Sequence, residues 1–457
     1  MSGLVQSPSG SAGFARRGGA AQALAGELSG WAWMAVGALA LAGVFAFLLA
    51  LSRVPGMDAA PFWPIGFFYK GLVIHVVFSL IIWLICVFAF LTTVATREAA
   101  GEAPRWAPLG RIGQGIALVA FPCLFAPAFL NSAEPELTNY VPLLRHPAYD
   151  LGLLLLALGV LLPIVRLFVN LPGRRPAPAL ALAMALAGGV YVLALVSFAL
   201  AAALLARQGA LMSDREALHW GGGHLLQFVY AIVLVTNWRI LARLGLGEPA
   251  VDDAVFRLAI WIIAVFAVPG PIFYFAFEPF SDPQHDAFRF LQFGLALPTL
   301  VFAVALVRNA RATLGGDPWP WRDPAFFTLA ASVALFALGG VMGLLISGSD
   351  TRTPAHYHAV VTAVSVSSAG MLLTFGLDEL GLEPVSARAI RWLIGLYAGG
   401  QFVASAAMFV AGGYGAARKT PSGVGALDPL AAAGMAAHGI ASIVTILGGA
   451  AFVVIAI

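Results

Sequence analysis

The sequence predicts an all-α integral membrane protein in which about twelve transmembrane helices form one bundle. Three observations lead there. Of 457 residues, 60% are hydrophobic and only 10% charged, whereas about a quarter of the residues of a soluble globular protein carry charge. Apolar runs long enough to cross about 30 Å of hydrocarbon recur along nearly the whole chain. Imidazoles, which are costly in hydrocarbon, recur inside those runs.

Taken in order, the first 28 residues are small and polar, include Arg16 and Arg17, and lack a short apolar run ending in a cleavage site. They are expected to form a disordered cytoplasmic tail (1–28) ahead of one transmembrane domain (29–457). The first apolar run covers 30–52. The second (66–96) and third (109–130) hold the two cysteines, Cys86 and Cys123, with no Cys-x-x-Cys, so both read as packing residues without a disulfide or zinc role. Runs at 148–171, 178–207, 217–244 and 253–280 follow. The break before the eighth run (286–312) is short, and the chain is expected to turn there at His285 and Asp286. The last four runs cover 324–347, 353–377, 386–412 and 428–457. No hydrophilic block is large enough for a separate domain.

Loop charge orients the bundle. With the N-terminus in the cytoplasm, the inner loops and helix ends carry Arg16, Arg17, Arg97, Arg105, Arg111, Arg166, Arg174, Arg175, Arg239, Arg243, Arg257, Arg308, Arg311, Arg322, Arg388 and Arg391. That is the majority of the 25 Lys and Arg residues, as the positive-inside rule requires. Both termini are then expected to be cytoplasmic, in a prokaryotic-type plasma membrane. The sequence pI is about 9.0, but the basic residues form no run or aromatic-interleaved patch, so nucleic acid is not a partner.

In this topology the second, sixth and tenth runs start at the outer face and carry His75, His224, and His356 with His358 in their first halves. The outer turn adds His285 and Asp286. Five of the eight histidines and a carboxylate thus fall in one layer, the arrangement a buried metal and haem site requires. A lone buried histidine is ordinarily a hydrogen-bonded core residue; a layer of five is not. His356 and His358 point about 200° apart on a helix, so they cannot share one metal and must address two neighbours.

The motifs around these residues resemble those of the catalytic subunit I of the haem-copper oxidase superfamily. Phe336-Ala-Leu-Gly-Gly-Val-Met-Gly, then Asp350-Thr351 and Ala355-His-Tyr-His, is similar to the family's glycine segment and Asp-Thr... Ala-His-Phe-His signature. Gly413-Tyr-Gly-Ala-Ala-Arg-Lys is similar to its haem-propionate loop. The resemblance implies two haems and one non-haem metal. It makes His75 and His358 axial ligands of a low-spin haem, His356 the proximal ligand of a high-spin haem, and His224 a ligand of the non-haem metal. It also makes Arg418 and Lys419 the propionate partners. His285-Asp286 falls where the family usually has His-His.

The chain departs from the family's proton-pumping oxygen reductases. Where those carry a tyrosine four residues after the sixth-span histidine, this sequence has Phe228. Leu226 stands at the position of an acid used in proton delivery, and Pro298-Thr-Leu-Val-Phe302 replaces a Pro-Thr-x-x-Lys channel motif; the only lysines are Lys70 and Lys419. Asp286 gives a two-His-one-carboxylate set, harder than three imidazoles and suited to non-haem iron rather than copper. This pattern most resembles nitric oxide reductases of the superfamily. The expected function is reduction of NO to nitrous oxide at His356, His224, His285 and Asp286. The alternatives are oxygen reduction at copper, with Tyr230 or Tyr274 as donor, and a haem-free transporter with relaying histidines.

Other residues carry less. His219 is expected to be interfacial, His146 to meet a propionate or partner subunit, and His438 to pack between helices. Glu278 is expected to relay protons from outside or pair with Arg289, and Gln227 to lie near a bound ligand. Without a Cys-x-x-Cys-His or copper domain, electrons are expected from a donor subunit, a cytochrome c or cupredoxin, or quinol.

Overall fold

The structure, a computed structural model, describes residues 19–51, 68–100, 103–138, 141–171, 176–211, 213–346, 350–418 and 427–457. Among them are twelve helices long and apolar enough to cross a membrane. Spans 1 to 6 are Leu24–Leu51, Phe68–Ala100, Pro108–Phe129, Pro147–Asn170, Ala179–Arg207 and Arg215–Leu246. Spans 7 to 12 are Asp253–Ala276, Asp282–Leu314, Pro324–Leu344, Arg352–Leu380, Ala387–Gly413 and Pro429–Ala456.

The expected boundaries shift in two places. Gly19–Leu51 is one continuous helix, so the part of the presumed tail from Gly19 onward is helical, and Leu24, Glu27 and Leu28 are buried. Span 7 ends at Ala276 and helix resumes at Asp282, so His285 and Asp286 lie on span 8 and not in a turn. The five-residue break is stitched by the buried Gln284. Its Oε1 accepts from the Phe280 N–H at 2.8 Å and its Nε2 donates to the Phe273 carbonyl at 3.1 Å. Phe280 takes a left-handed φ of 65°, which a non-glycine residue adopts only when its surroundings hold it there.

Spans 2, 6 and 10, the spans of His75, His224, His356 and His358, form the interior. Their most apolar windows are 67, 89 and 72% buried, against 17–44% for the other nine. Hydrogen bonds between spans pin this interior. Trp83 Nε1 on span 2 donates to Ser365 Oγ on span 10 at 3.3 Å, and Asn237 on span 6 donates to Ser368 Oγ at 3.0 Å. Trp238 on span 6 donates to Ser332 Oγ on span 9 at 2.8 Å. Spans 2 and 10 each contain a π-helical stretch, Val77–Ile82 and Leu372–Gly376, and the first begins two residues after His75. Such stretches in α-helices frequently sit at functional sites.

Arg166, counted above among the inner-face cations, is fully buried. Its guanidinium forks onto Glu27 of span 1 at 2.5 and 2.8 Å, and Thr93 of span 2 donates to the same carboxylate at 2.8 Å. At Gly110, at the start of span 3, an added Cβ would collide with both partners, so glycine there is what admits the pair. At the opposite face a two-stranded hairpin, β1 (Glu134–Glu136) and β2 (Leu143–Arg145), packs over the start of span 2. Below it Arg215, also buried, pairs with Asp150.

Candidate functional site

At about 1.5 Å per residue, His285, His356, His358, His75, His224 and His438 lie roughly 5 to 14 Å inside the face at which the even-numbered spans begin. A carbonyl oxygen only accepts, so a ring nitrogen facing one carries the proton. His75 Nδ1 donates to Ala42 O at 3.1 Å, His224 Nδ1 to Trp220 O at 2.6 Å, and His356 Nδ1 to Gly339 O at 2.7 Å. Each bond makes Nε2 the nitrogen with the lone pair and orients the ring, which is how metal-ligating imidazoles are held. His146 differs: its Nδ1 accepts from the Ala148 N–H at 3.2 Å, capping span 4. That gives Nδ1 of His146 a local role at the start of span 4.

The His356 seat is built by span 9. Gly339 supplies the carbonyl, and a Cβ there would lie 2.5 Å from Val360. One turn on, a Cβ at Gly343 would lie 2.8 and 2.9 Å from His356 Cε1 and Nδ1. The glycine segment therefore serves the tenth-span histidine directly, and Gly340, facing open space, does not.

His224 and His285 meet around Trp220, one turn before His224. Its ring centroid is 4.7 Å from each imidazole, and its Nε1 donates to His285 O at 3.3 Å. His285 Nε2 is buried with no hydrogen-bond partner among the described residues, a condition that suits a nitrogen able to take a metal or a proton donor. Gln292 on span 8 donates to His224 O at 3.3 Å, so this amide braces the helix that carries His224. The run Gly221-Gly222 explains how neighbours come so close. A Cβ at Gly221 would meet Phe288 at 2.6 Å and the Tyr274 hydroxyl, and one at Gly222 would meet Phe198 at 2.6 Å.

Asp286 does not join this set. Consecutive helical residues point about 100° apart, and with His285 turned toward span 6, Asp286 pairs with Arg289 and its side chain is 43% exposed. Among the described residues no three His, Cys, Asp or Glu side chains converge as a metal cage; of the expected set, His224 and His285 lie together and Asp286 stands apart. Arg289 is thereby engaged, and Glu278 stands exposed at the break.

The motif before the tenth span and the loop after the eleventh clamp together. Thr351 N donates to Ala416 O at 3.0 Å, Thr351 Oγ1 to Met408 O at 3.0 Å, and Asp350 bridges Ala417. Asp350 is paired with Arg352 at 2.6 Å, and that side-chain hydrogen bond holds its carboxyl below the usual carboxylate range. Arg418 follows directly in this clamp, while Lys419 lies outside the described residues. His358 faces a neighbour that sequence reasoning set aside: the ring of the buried His438 stands 6.5 Å away at 77°, its Nδ1 donating to Ala404 O at 3.1 Å. The signal for His438 was its place in the first half of an even-numbered span; that for Trp220 was its i−4 spacing from His224.

The residues fit two kinds of group. His75, His356 and His358, on buried helices with two of the three rings oriented by carbonyls, fit axial ligation of haem. His224 and His285 fit a nitrogen-ligated metal, with the carboxylate outside.

Comparison with known proteins places the chain by family and fold. The family model described as cytochrome c and quinol oxidase polypeptide I matches residues 29–451. An uncharacterized protein of Aquifex aeolicus is 30% identical over 362 residues, covering 77% of this chain and 84% of its own length. One of Rickettsia prowazekii is 22% identical, with 93% and 94% covered. A haem-copper terminal oxidase dimer solved by cryo-electron microscopy has the same fold, with a TM-score of 0.76 at 17% identity over 95% of this chain and 84% of that one.

Proposed function

The chain belongs to the cytochrome c and quinol oxidase polypeptide I family and is a multi-pass membrane oxidoreductase, and from that premise we propose that it reduces NO to nitrous oxide. Phe228 carries this reading. It is fully buried four residues after His224, where the family's oxygen reductases place the tyrosine that donates a proton and an electron. Coupling two NO molecules takes two electrons and two protons, yields nitrous oxide and water, and breaks no O–O bond, so the apolar ring suffices.

In this reading His75 and His358 hold a low-spin haem, His356 a high-spin haem, and His224 with His285 the non-haem metal. Bound there, these groups would pass on the electrons of the donor and provide the metal sites at which the gas is reduced. The chain's part is to aim the Nε2 lone pairs, through Ala42, Trp220 and Gly339, and to exclude water with spans 2, 6 and 10. Arg352 and Arg418, at the start of span 10 and in the loop clamped to it, offer cations for propionates. Electrons come from a donor subunit, a cytochrome c or cupredoxin, or quinol. With Leu226 and Phe302 at the two channel positions, protons enter from the face of the histidines, the outer one by loop charge, past Glu278.

Oxygen reduction is the second reading, favoured by the Asp286–Arg289 pair. With the carboxylate turned away, the argument for iron over copper loses its basis, and the Tyr274 hydroxyl lies against span 6 at Gly221, one turn from His224. Proteoliposomes fed reductant decide between them. Nitrous oxide formation faster than oxygen uptake, without acidification outside, supports the first reading. Robust oxygen uptake with one copper per two haems and negligible nitrous oxide overturns it.

A further inference from the structure

The groove between the starts of spans 9 and 11 lies at the face opposite the histidines. It encloses about 490 Å³ and is lined by Phe327, Arg388, Arg391, Trp392, Gly395 and Leu396. That volume is within the range of ligand pockets, roughly 300–1,000 Å³. Arg388 and Arg391, three residues apart, share one face of span 11. Neither guanidinium is engaged by a carboxylate among the described residues; Arg391 donates only to its own helix, to Ala387 O at 3.4 Å. Eight other arginines, from Arg97 to Arg352, are paired with an acid; Arg388 and Arg391 instead place two uncompensated charges side by side at the mouth of one groove.

The floor is of opposite character. Phe327 and Leu396 are partly buried and Trp392 is 63% exposed, and Gly395 faces the Phe327 ring, which a Cβ there would only touch, at 3.7 Å, so that a longer side chain is needed to fill the floor. From Arg388 to Leu396 the groove runs about 12 Å along the helix, at 1.5 Å per residue. Charge sits at the helix end and apolar surface deeper, the order met on passing from lipid headgroups into hydrocarbon.

We infer that this groove is a binding site for an anionic phospholipid, its phosphate between Arg388 and Arg391 and one acyl chain over Phe327, Gly395 and Leu396. Free phosphate makes no use of the apolar floor, and a zwitterionic lipid leaves the cationic mouth uncompensated. A docked polypeptide helix is disfavoured because two guanidiniums would be covered at its edge.

The test is native mass spectrometry of the full-length detergent-solubilised protein, titrated with phosphatidylglycerol or phosphatidylcholine. Phosphatidylglycerol is expected to be retained preferentially. Arg388→Ala and Arg391→Ala should each weaken it about fivefold, the equivalent of ~1 kcal/mol per basic residue at a lipid surface, and the double variant about 25-fold. Arg388→Lys with Arg391→Lys should stay within about twofold of the parent. Gly395→Leu fills the floor, leaves both charges in place, and should lower retention comparably. Undiminished retention in Gly395→Leu overturns the inference, because the arginines then act only as surface charge. So does equal retention of phosphatidylcholine, or displacement of the lipid by millimolar inorganic phosphate. Circular dichroism of each variant establishes that the bundle is intact.

Discussion

Replacing Gly343 by alanine tests how span 9 seats His356. The added Cβ would stand 2.8 Å from Cε1 and 2.9 Å from Nδ1 of the imidazole, several tenths of an ångström inside a normal contact, so the ring must swing. The swing lengthens the 2.7 Å bond from Nδ1 to Gly339 O, and losing such a bond costs about 0.5–1.5 kcal/mol. Gly343 lies in the last turn of its helix, Pro324–Leu344, where alanine gains less over glycine than the ~1 kcal/mol of an interior site, so the melting temperature should fall only slightly. Ligation should change far more, because loss of a partner that orients a metal-binding histidine typically lowers affinity about 10–100-fold. Gly340→Ala, whose Cβ meets nothing within 4 Å, is the control. The assay is haem stoichiometry by pyridine haemochrome, with reduced-minus-oxidised spectra, on purified membranes. Gly343→Ala should lose the high-spin component and keep the low-spin one, while Gly340→Ala keeps both. Full high-spin haem in Gly343→Ala would refute the seat.

Further outcomes follow from other contacts. Glu27→Ala strands the fully buried Arg166, so thermal unfolding should report a loss of about 3–5 kcal/mol, whereas a paired apolar replacement of both residues should be much milder. Trp220→Ala removes the ring between His224 and His285. Metal analysis after graded chelation should show about 10–100-fold weaker retention of the non-haem metal with haem content unchanged. Asp286→Asn should leave that metal in place, since the carboxylate faces Arg289; a loss equal to that of His224→Ala would restore it as a ligand. Asp350 has a depressed folded-state pKa, so its contribution is present above the unfolded carboxylate value, about 3.9, and fades as pH falls through the lower folded value. The melting difference between the parent and Asp350→Asn should therefore be full near neutrality and shrink in acid; a difference that grows in acid contradicts the assignment.

What was legible in the sequence follows from periodicity and cost. Apolar length reports a spanning helix without reference to its neighbours, and the twelve spans were read within a few residues, because charged residues mark where hydrocarbon ends. The exceptions are instructive. Glu27 looked like the end of a polar tail, yet it enters the bundle because Arg166, over a hundred residues away, neutralises it. The break before span 8 was placed too late, because the helix-initiating Asp282-Pro283 was read as loop. His146, expected to meet a propionate or partner subunit, also caps span 4 through Nδ1, a local bond that its place before a proline did not reveal.

By itself the sequence determined the membrane-spanning class, the number of spans, and the confinement of imidazoles to one depth, since each depends on local composition and on the 1.5 Å rise of a helix. It also determined that His356 and His358 face different neighbours, because angular separation on a helix is intrinsic to spacing. Only the tertiary structure decided which ring nitrogen is presented, because the carbonyls of Ala42 and Gly339 belong to other spans. It likewise decided that Asp286 turns toward Arg289 and away from His285, that Trp220 stands between two imidazoles, and that His438 adjoins His358. The azimuth of a helix about its own axis is set by packing against its neighbours, and a sequence read one span at a time does not contain it.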